Sequence, residues 1–392
     1  MKFSSLTQRL GSDSADAWHV HNLATKRREA GEDIIMLSIG EESGVPASAA
    51  VTEAAVTSLR AGNHHYSDVR GSESLRQKIA GYHQTLTGQP VTADHCRVYA
   101  GAQNALFAIA QCLLEKGDEV ILPEPYYTTY PGVFGCSGAT PRKVYGPKER
   151  LFLANVEDIE KSITNQTRVI VITQPGNPMG TWYNEQEIAQ LVELCRSHNI
   201  WLVSDEVYSA LLTDEQRASP ASLASPEDPI VTVNSLSKSH RMTGWRIGWT
   251  VTPRELATHL AELSMIMSYG QPPFTMDAAL EALSDNAGTA AEIRSTMSRR
   301  RKACHEKLGD LTGIDLLDGG AGMFVVLDVA ATGMTANQFA EQLLAETAVS
   351  ILPCTGFGES CDTLVRIGLC VPEKLIATAC ERIADFCRRS IG

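Results

Sequence analysis

The sequence has no run approaching the roughly 18–20 consecutive apolar residues that a membrane-crossing helix requires, so helical spans are not expected. Its start, Met1-Lys-Phe-Ser-Ser-Leu-Thr-Gln-Arg-Leu10, has neither a continuous apolar segment nor a small-residue cleavage site behind one, so no secretory leader is expected. Basic residues are in deficit: 34 Lys and Arg stand against 46 Asp and Glu, a net charge of −12. Nucleic acid and anionic membrane both need clustered cations and are therefore not expected as partners. No Cys-x-x-Cys pair, internal repeat or low-complexity tract occurs, which argues against a metal ribbon, a redox motif and a solenoid. The ten cysteines are scattered, and several lie inside apolar periodic stretches such as Ala105-Leu-Phe-Ala-Ile-Ala-Gln-Cys-Leu-Leu114. Free, buried thiols in a reducing cytoplasm account for that pattern.

What is present is the length and rhythm of an α/β protein. At 392 residues the chain exceeds the roughly 250–300 at which single cores stop growing, so two domains are expected. Short β-branched runs at Arg97–Ala100, Glu119–Leu122, Arg168–Ile172, Trp201–Ser204, Ile230–Val233 and Arg246–Val251 alternate with helical patterns such as Gln103–Leu114 and Glu185–His198. That alternation predicts βαβ units and a mainly parallel sheet covered by helices on both faces. Further strands are expected at Met323–Asp328 and Leu364–Leu369, with helices at about Ala290–Leu308, Ala336–Thr347 and Glu373–Arg389. Residues 46–290 read as a large domain, and residues 1–45 with 291–392 as a smaller α/β domain.

Ligands of open α/β sheets bind beyond the carboxyl ends of the parallel strands. The residues there are Gly101-Ala-Gln-Asn104, Pro123-Glu-Pro-Tyr-Tyr127, Thr173-Gln-Pro-Gly-Asn-Pro178, Asp205-Glu-Val-Tyr208 and Asn234-Ser-Leu-Ser-Lys238. Among them are a small-residue turn opening a helix, two tyrosines, an asparagine, an acid–tyrosine pair and a lysine among hydroxyls. A phosphate, an aromatic ring and a ring cation can all be met by that set. Lys238, flanked by Ser235 and Ser237 and followed by Arg246, offers an amine nucleophile beside a phosphate clamp, the arrangement a cofactor Schiff base requires. Singly, each residue is also what a surface loop carries.

Ser235-Leu-Ser-Lys-Ser-His-Arg-Met-Thr-Gly-Trp-Arg-Ile-Gly-Trp249 resembles the lysine motif of class I and II aminotransferases, and the family's other motifs follow its order over nearly the whole chain. The resemblance implies the fold-type-I architecture of pyridoxal 5′-phosphate enzymes, with Lys238 holding the cofactor and later moving a proton. It implies that Asp205 pairs with the cofactor's ring nitrogen, and that Asn177 and Tyr208 bond its phenolic oxygen. Gly101, Ala102, Gln103, Ser235, Ser237 and Arg246 would bind the phosphate, and Tyr127 would stack on the ring, with Tyr126 as the competing assignment. Asn177–Pro178 is a candidate cis peptide. Arg366 would clamp the donor's carboxylate in the planar, bidentate way that lysine cannot reproduce, with Asn177 and the Gly40 backbone N–H beside it. His64-His-Tyr-Ser-Asp-Val-Arg-Gly71 and Ser268-Tyr-Gly-Gln-Pro-Pro-Phe274 resemble segments that reach a neighbouring subunit. A homodimer is implied, with Tyr66 on the partner's phosphate.

Donor choice is less determined. Ser5-Leu-Thr-Gln-Arg9, Gln111-Cys-Leu-Leu114 and Asn234–His240 resemble a bacterial subgroup of the family acting on arginine and pyruvate. Aromatic or aspartate-type donors, elimination and oxidation use the same kind of pocket, because fold does not fix reaction. A non-catalytic regulator of this fold would need a DNA-binding module ahead of Gly40, and the residues there are too few. The family usually writes Gly-Glu/Asp-Pro-Asp-Phe where this chain has Gly40-Glu-Glu-Ser-Gly-Val-Pro46, and the missing Pro and Phe with Gly44 predict a looser lid. Glu41 and Glu42 are read as a solvated acidic pair, with the alternative that Glu41 or Glu42 faces the guanidinium of a bound arginine.

Overall fold

The runs Val169-Ile-Val-Ile172 and Ile230-Val-Thr-Val233 are apolar or β-branched at consecutive positions, as suits strands covered on both faces, and both become inner strands of a seven-stranded sheet. The computed structural model describes residues 1–9, 18–42, 44–285 and 288–391. In chain order the strands are β1 (Cys96–Tyr99), β2 (Glu119–Glu124), β3 (Thr140–Tyr145), β4 (Thr167–Thr173), β5 (Trp201–Asp205), β6 (Ile230–Ser235) and β7 (Gly248–Val251). Their spatial order is β1-β7-β6-β5-β4-β2-β3. The five strands from β6 to β3 pair in parallel, and β7 is antiparallel to both of its neighbours.

Strand β4 shows why the sheet is layered. Val169 and Val171 point to one face, where they meet Ala105, Leu106 and Ile109 of helix α1 (Ala102–Leu113). Ile170 and Ile172 point to the other and meet Ile188, Leu191 and Val192 of helix α2 (Glu185–His198). Side chains alternating along a strand thus find an amphipathic helix on each side. Helix α2 starts where Asn184 and Glu187 form a reciprocal capping box, which satisfies two otherwise orphaned N–H groups.

A second sheet has β8 (Asp315–Leu317), β9 (Phe324–Asp328), β10 (Leu352–Pro353) and β11 (Leu364–Gly368) in the antiparallel order β10-β11-β9-β8. Helices α3 (Gly288–Leu308), α4 (Ala336–Thr347) and α5 (Glu373–Ile391) share its core through Ile293, Met297, Phe339, Leu343 and Ile383. Ile35–Met36 pairs in parallel with Val349–Ser350 as a separate two-stranded ladder, and Gly368 N–H of β11 donates to the Leu37 carbonyl at 2.7 Å, which ties the N-terminal segment to the four-stranded sheet.

Two expectations need correction. Strand β3 went unrecognised because Arg142 and Lys143 interrupt its apolar character; charges there suit an edge strand, and they pair with Glu119 and Glu359. The strand expected from Arg246 begins at Gly248, because Arg246 takes a left-handed backbone (φ 54°) outside the ladder. All ten cysteines are free, as expected. Among the described residues no helix is long and apolar enough to cross a membrane.

Phe339 is fully buried, edge-to-face with Phe386 at 5.2 Å between ring centroids. Phe339→Ala should therefore cost about 3–5 kcal/mol in urea unfolding, the usual range for an emptied aromatic site; an unchanged midpoint would contradict this packing.

Candidate active site

The carboxyl ends of β4, β5 and β6 open on a cavity of about 280 Å³, closed from the other side by the N-terminal segment and by β9 and β11. Lys238, Asp205, Asn177, Tyr208, Tyr127, Ala102, Gln103, Ser235, Ser237, Arg246, Gly40 and Arg366 all line it. Sequence positions 326 residues apart thus converge on one space, as the strand-end rule requires.

At the end of β5, Asp205 is buried, and Tyr130 Oη donates to its Oδ2 at 2.6 Å while Val207 N–H donates to Oδ1 at 3.2 Å. Burial pushes its pKa up to about 6, against the pull of those two donors. Neither donor is a cation. Tyr130 is itself held 2.9 Å from Thr173 Oγ1, so a hydroxyl chain fixes the carboxylate.

At the end of β6, Ser235 Oγ donates to the Ile247 carbonyl at 2.9 Å and accepts from Ser237 N–H at 3.0 Å, which sets the single helical turn Leu236–Ser239 carrying Lys238. Lys238 Nζ donates to the Gly40 carbonyl at 2.7 Å, and desolvation lowers its pKa, which favours the free amine that a nucleophile needs. The Tyr208 ring lies beneath it, 6.0 Å from Nζ to the centroid.

Arg246 and the start of α1 form a cationic cup. Gly101 (φ +83°) leaves room where a Cβ would sit 2.5 Å from Arg246 Nη2, and Gly248 lets β7 approach where a Cβ would meet Ala102 N at 2.5 Å. Both glycines are demanded by close approach rather than by a loose loop. The helix start aims the N–H groups of Ala102 and Gln103 outward, a geometry suited to an anion.

Taken alone, Arg366 would by default be a solvent-facing arginine, and the family resemblance makes it the carboxylate clamp; the structure encloses it. Its Nη1 donates to Asn177 Oδ1 and its Nη2 to the Ser38 carbonyl, each at 2.9 Å, while Nε has no partner among the described residues. Phe324 lies 4.0 Å below the guanidinium. These partners are neutral, so an incoming carboxylate would meet an uncompensated cation. The peptide bond before Pro178 is cis, as are those before Pro125 and Pro175.

These groups fit the cofactor that the motifs imply. The donor set offers cations and N–H groups for a phosphate, a buried carboxylate for a protonated ring nitrogen, an amide and a phenol for a ring oxygen, and an amine for an aldehyde. Tyr127 lines the cavity, whereas Tyr126 lines two neighbouring cavities. Tyr66 stands apart: it is 87% exposed and rests edge-to-face on Tyr269.

The acidic pair of the lid divides, and only Glu42 departs from both expectations. Glu42 is neither solvated nor aimed at a ligand; it faces two guanidiniums of the chain itself, Arg241 and Arg300, each at 2.8 Å. Glu41 does line the cavity, and it accepts a hydrogen bond from Thr243. Ser43 lies outside the described residues. Sequence reasoning also missed Trp18, Tyr130, Phe324 and Phe357 as lining residues. Only Tyr130 had a visible signal, the cluster Tyr126-Tyr-Thr-Thr-Tyr130.

The family described as aminotransferase class I and II matches residues 32–383. The arginine–pyruvate transaminase of Pseudomonas aeruginosa is 44% identical over 392 residues, covering 100% of both chains. A probable aspartate/prephenate aminotransferase of Aquifex aeolicus is 32% identical over 92% of each. The structure of the Thermus thermophilus aspartate aminotransferase with maleate superposes with a TM-score of 0.92 and 30% identity, covering 98% of this chain and 99% of that one.

Behind Asp205, Glu206 accepts from Ser204 and Ser219 hydroxyls at 3.0 and 2.7 Å, and burial raises its pKa from 4.5 to about 7. The folded state thus holds this proton more tightly than the unfolded state, so its stabilising share is complete below pH 4.5 and is lost as pH rises to about 7. In urea unfolding of cofactor-free protein, Glu206→Gln should gain on the parent steadily across that window and level off above it. A difference flat with pH would refute the buried carboxyl.

Proposed function

The chain belongs to the class I and II aminotransferases, enzymes that use pyridoxal 5′-phosphate, and from that premise we propose which residues do the work and which donor they serve. The reading rests on one observation: an enclosed amine, an enclosed carboxylate and an enclosed guanidinium share a single cavity. When bound, the cofactor supplies an aldehyde for the amine and a cationic ring that takes up the electron pair left on the donor's α-carbon.

In this reading Lys238 anchors the cofactor and then carries the proton to and from the donor's α-carbon. Asp205 keeps the ring nitrogen protonated, with Tyr130 positioning its carboxylate. The N–H groups of Ala102 and Gln103, the hydroxyls of Ser235 and Ser237, and Arg246 hold the phosphate. Tyr127 covers one ring face, and Asn177 and Tyr208 hold the ring oxygen. Arg366 takes the donor's carboxylate with two N–H groups of one guanidinium edge, aided by Asn177 and the Gly40 backbone.

Arginine is the proposed donor and pyruvate the proposed acceptor, by likeness to the Pseudomonas relative. The Glu41 carboxylate on the cavity wall supports a cationic donor side chain. A homodimer in the cytoplasm completes the proposal. Its support is the exposed pair Tyr66 and Tyr269 beside exposed Met265 and Ile266, an apolar patch that a partner would cover. The division into residues 46–290 and the two flanking segments is proposed on the same footing, each part having its own sheet.

A donor screen against pyruvate and 2-oxoglutarate tests the substrate: arginine with pyruvate should give the highest kcat/KM, and failure to turn over arginine would remove that donor. Arginine alone should convert one equivalent of cofactor and stop, whereas continuous ammonia release would mean elimination or oxidation. Lys238→Ala should lack turnover, and Asp205→Asn should lose about 10²–10³-fold in kcat, the scale of one preorganised electrostatic group; near-parental rates would refute both roles. Glu41→Gln should lower kcat/KM for arginine and spare neutral donors, and an equal change for all donors would refute a recognition role.

A further inference from the structure

The segment that carries Gly40, Glu41 and Glu42 borders the cavity; Gly40 lies close against the Phe324 ring, but the described residues beyond Glu42 have little to hold them by packing. Among the described residues, chain neighbours aside, Gly44 (φ +84°) has no atom within 4 Å of a would-be Cβ, and Val45 is 42% exposed. A second cavity of about 50 Å³ lies between this segment and the turn carrying Lys238, lined by Gly40, Glu41, Glu42, Lys238, Arg241 and Met323 among others. The segment therefore does not rest on that turn as one solid body.

It is fastened instead at Glu42. Glu42 Oε2 meets Arg241 Nε and Oε1 meets Arg300 Nη1, both at 2.8 Å, and the carboxylate is almost wholly enclosed. Arg241 sits three residues after Lys238 and binds Glu292 of α3 at 3.0 Å. Arg300, also on α3, donates to the carbonyl of Leu369, just after β11. One carboxylate thus joins this segment, the lysine turn and the helix of the second sheet. Charged pairs of this enclosure keep their strength, unlike exposed ones. Removing one partner leaves the others buried and uncompensated.

Two residues upstream of Glu42, the Gly40 carbonyl accepts from Lys238 Nζ at 2.7 Å. We propose that Glu42, through Arg241 and Arg300, is a positioning residue that holds the Gly40 carbonyl in register with the Lys238 amine. The ion pairs supply the rigidity that the family's usual proline gives at this place, and they act whenever the amine is free. The inference rests on the proposed role of Lys238 but not on the identity of the donor.

Hydrogen exchange on the cofactor-free protein tests it directly. In Glu42→Gln the amides of residues 38–46 should exchange about 10-fold faster, a local opening, while β9 and β11 keep their protection. Glu42→Asp should fall between variant and parent. In the loaded enzyme, kcat should drop by a common factor of about 10 for every donor accepted, with KM moving less, as for a misplaced catalytic group. Unchanged exchange at residues 38–46, or faster exchange throughout both sheets, would overturn the proposal, and so would a loss confined to arginine. Should Glu42→Gln fail to fold, Arg241→Ala leaves the Arg300 pair intact and must show a smaller opening confined to the same residues; no change there would overturn the proposal. An enzyme that ignores arginine but passes these tests refutes the donor alone.

Discussion

Two buried charges of opposite sign, each held only by neutral groups, set the terms for this molecule. Asp205 has a phenol and a backbone N–H; Arg366 has an amide oxygen and a backbone carbonyl. Taking either ion out of water costs several kcal/mol unless a counter-charge or a full set of hydrogen bonds repays it. The raised pKa of Asp205 and the unpartnered Nε of Arg366 are the marks of that incomplete compensation. Bringing both into the same cavity requires two sheets, since Asp205 ends β5 of one and Arg366 lies within β11 of the other. In the proposed assignment the cofactor's ring cation and the donor's carboxylate would supply the two missing charges. The desolvation cost carried by these two ions would thus be available as binding energy.

The strand ends explain how much could be read in advance. β4, β5 and β6 are apolar runs closed by Thr173, Asp205 and Ser235, so the place where chemistry gathers was visible from hydropathy alone. Local signals also located α2 and α4, which start at capping boxes. What hydropathy hid were residues whose environment is made by tertiary contact. β3 reads as polar because it is an edge. Arg366 reads as solvent-facing because nothing in Leu364–Leu369 tells that the facing side is closed by Phe324, Phe357 and the N-terminal segment. Phe324 and Phe357 themselves look like ordinary core residues, and they become cavity walls only because the two sheets meet there.

The acidic pair at Glu41 and Glu42 shows the same limit more sharply. Adjacent glutamates in a Gly-flanked loop suggest a solvated stretch, and composition offers no ground to separate them. The fold separates them completely: one lines the cavity and the other is sunk between Arg241 and Arg300. The partners lie 199 and 258 residues away in sequence, beyond the reach of any local pattern.

That separation bears on how a family can vary its members without losing the reaction. The groups assigned to the cofactor sit on strand ends and on a helix start, where the large sheet fixes them. The segment that carries Gly40, Glu41 and Glu42 has no such scaffold, and its backbone carbonyl must nevertheless meet Lys238 at hydrogen-bond distance. A proline would restrict the segment by its ring; a doubly paired carboxylate restricts it by tying it to two elements that are themselves fixed. The second solution leaves neighbouring positions free of the backbone demands that proline imposes. It therefore permits Glu41 and the mouth residues to change with the donor while the lysine turn stays in place. In the proposed reading, positional rigidity and substrate choice reside in adjacent residues, because electrostatic anchoring at one of them removes the need for it at the other.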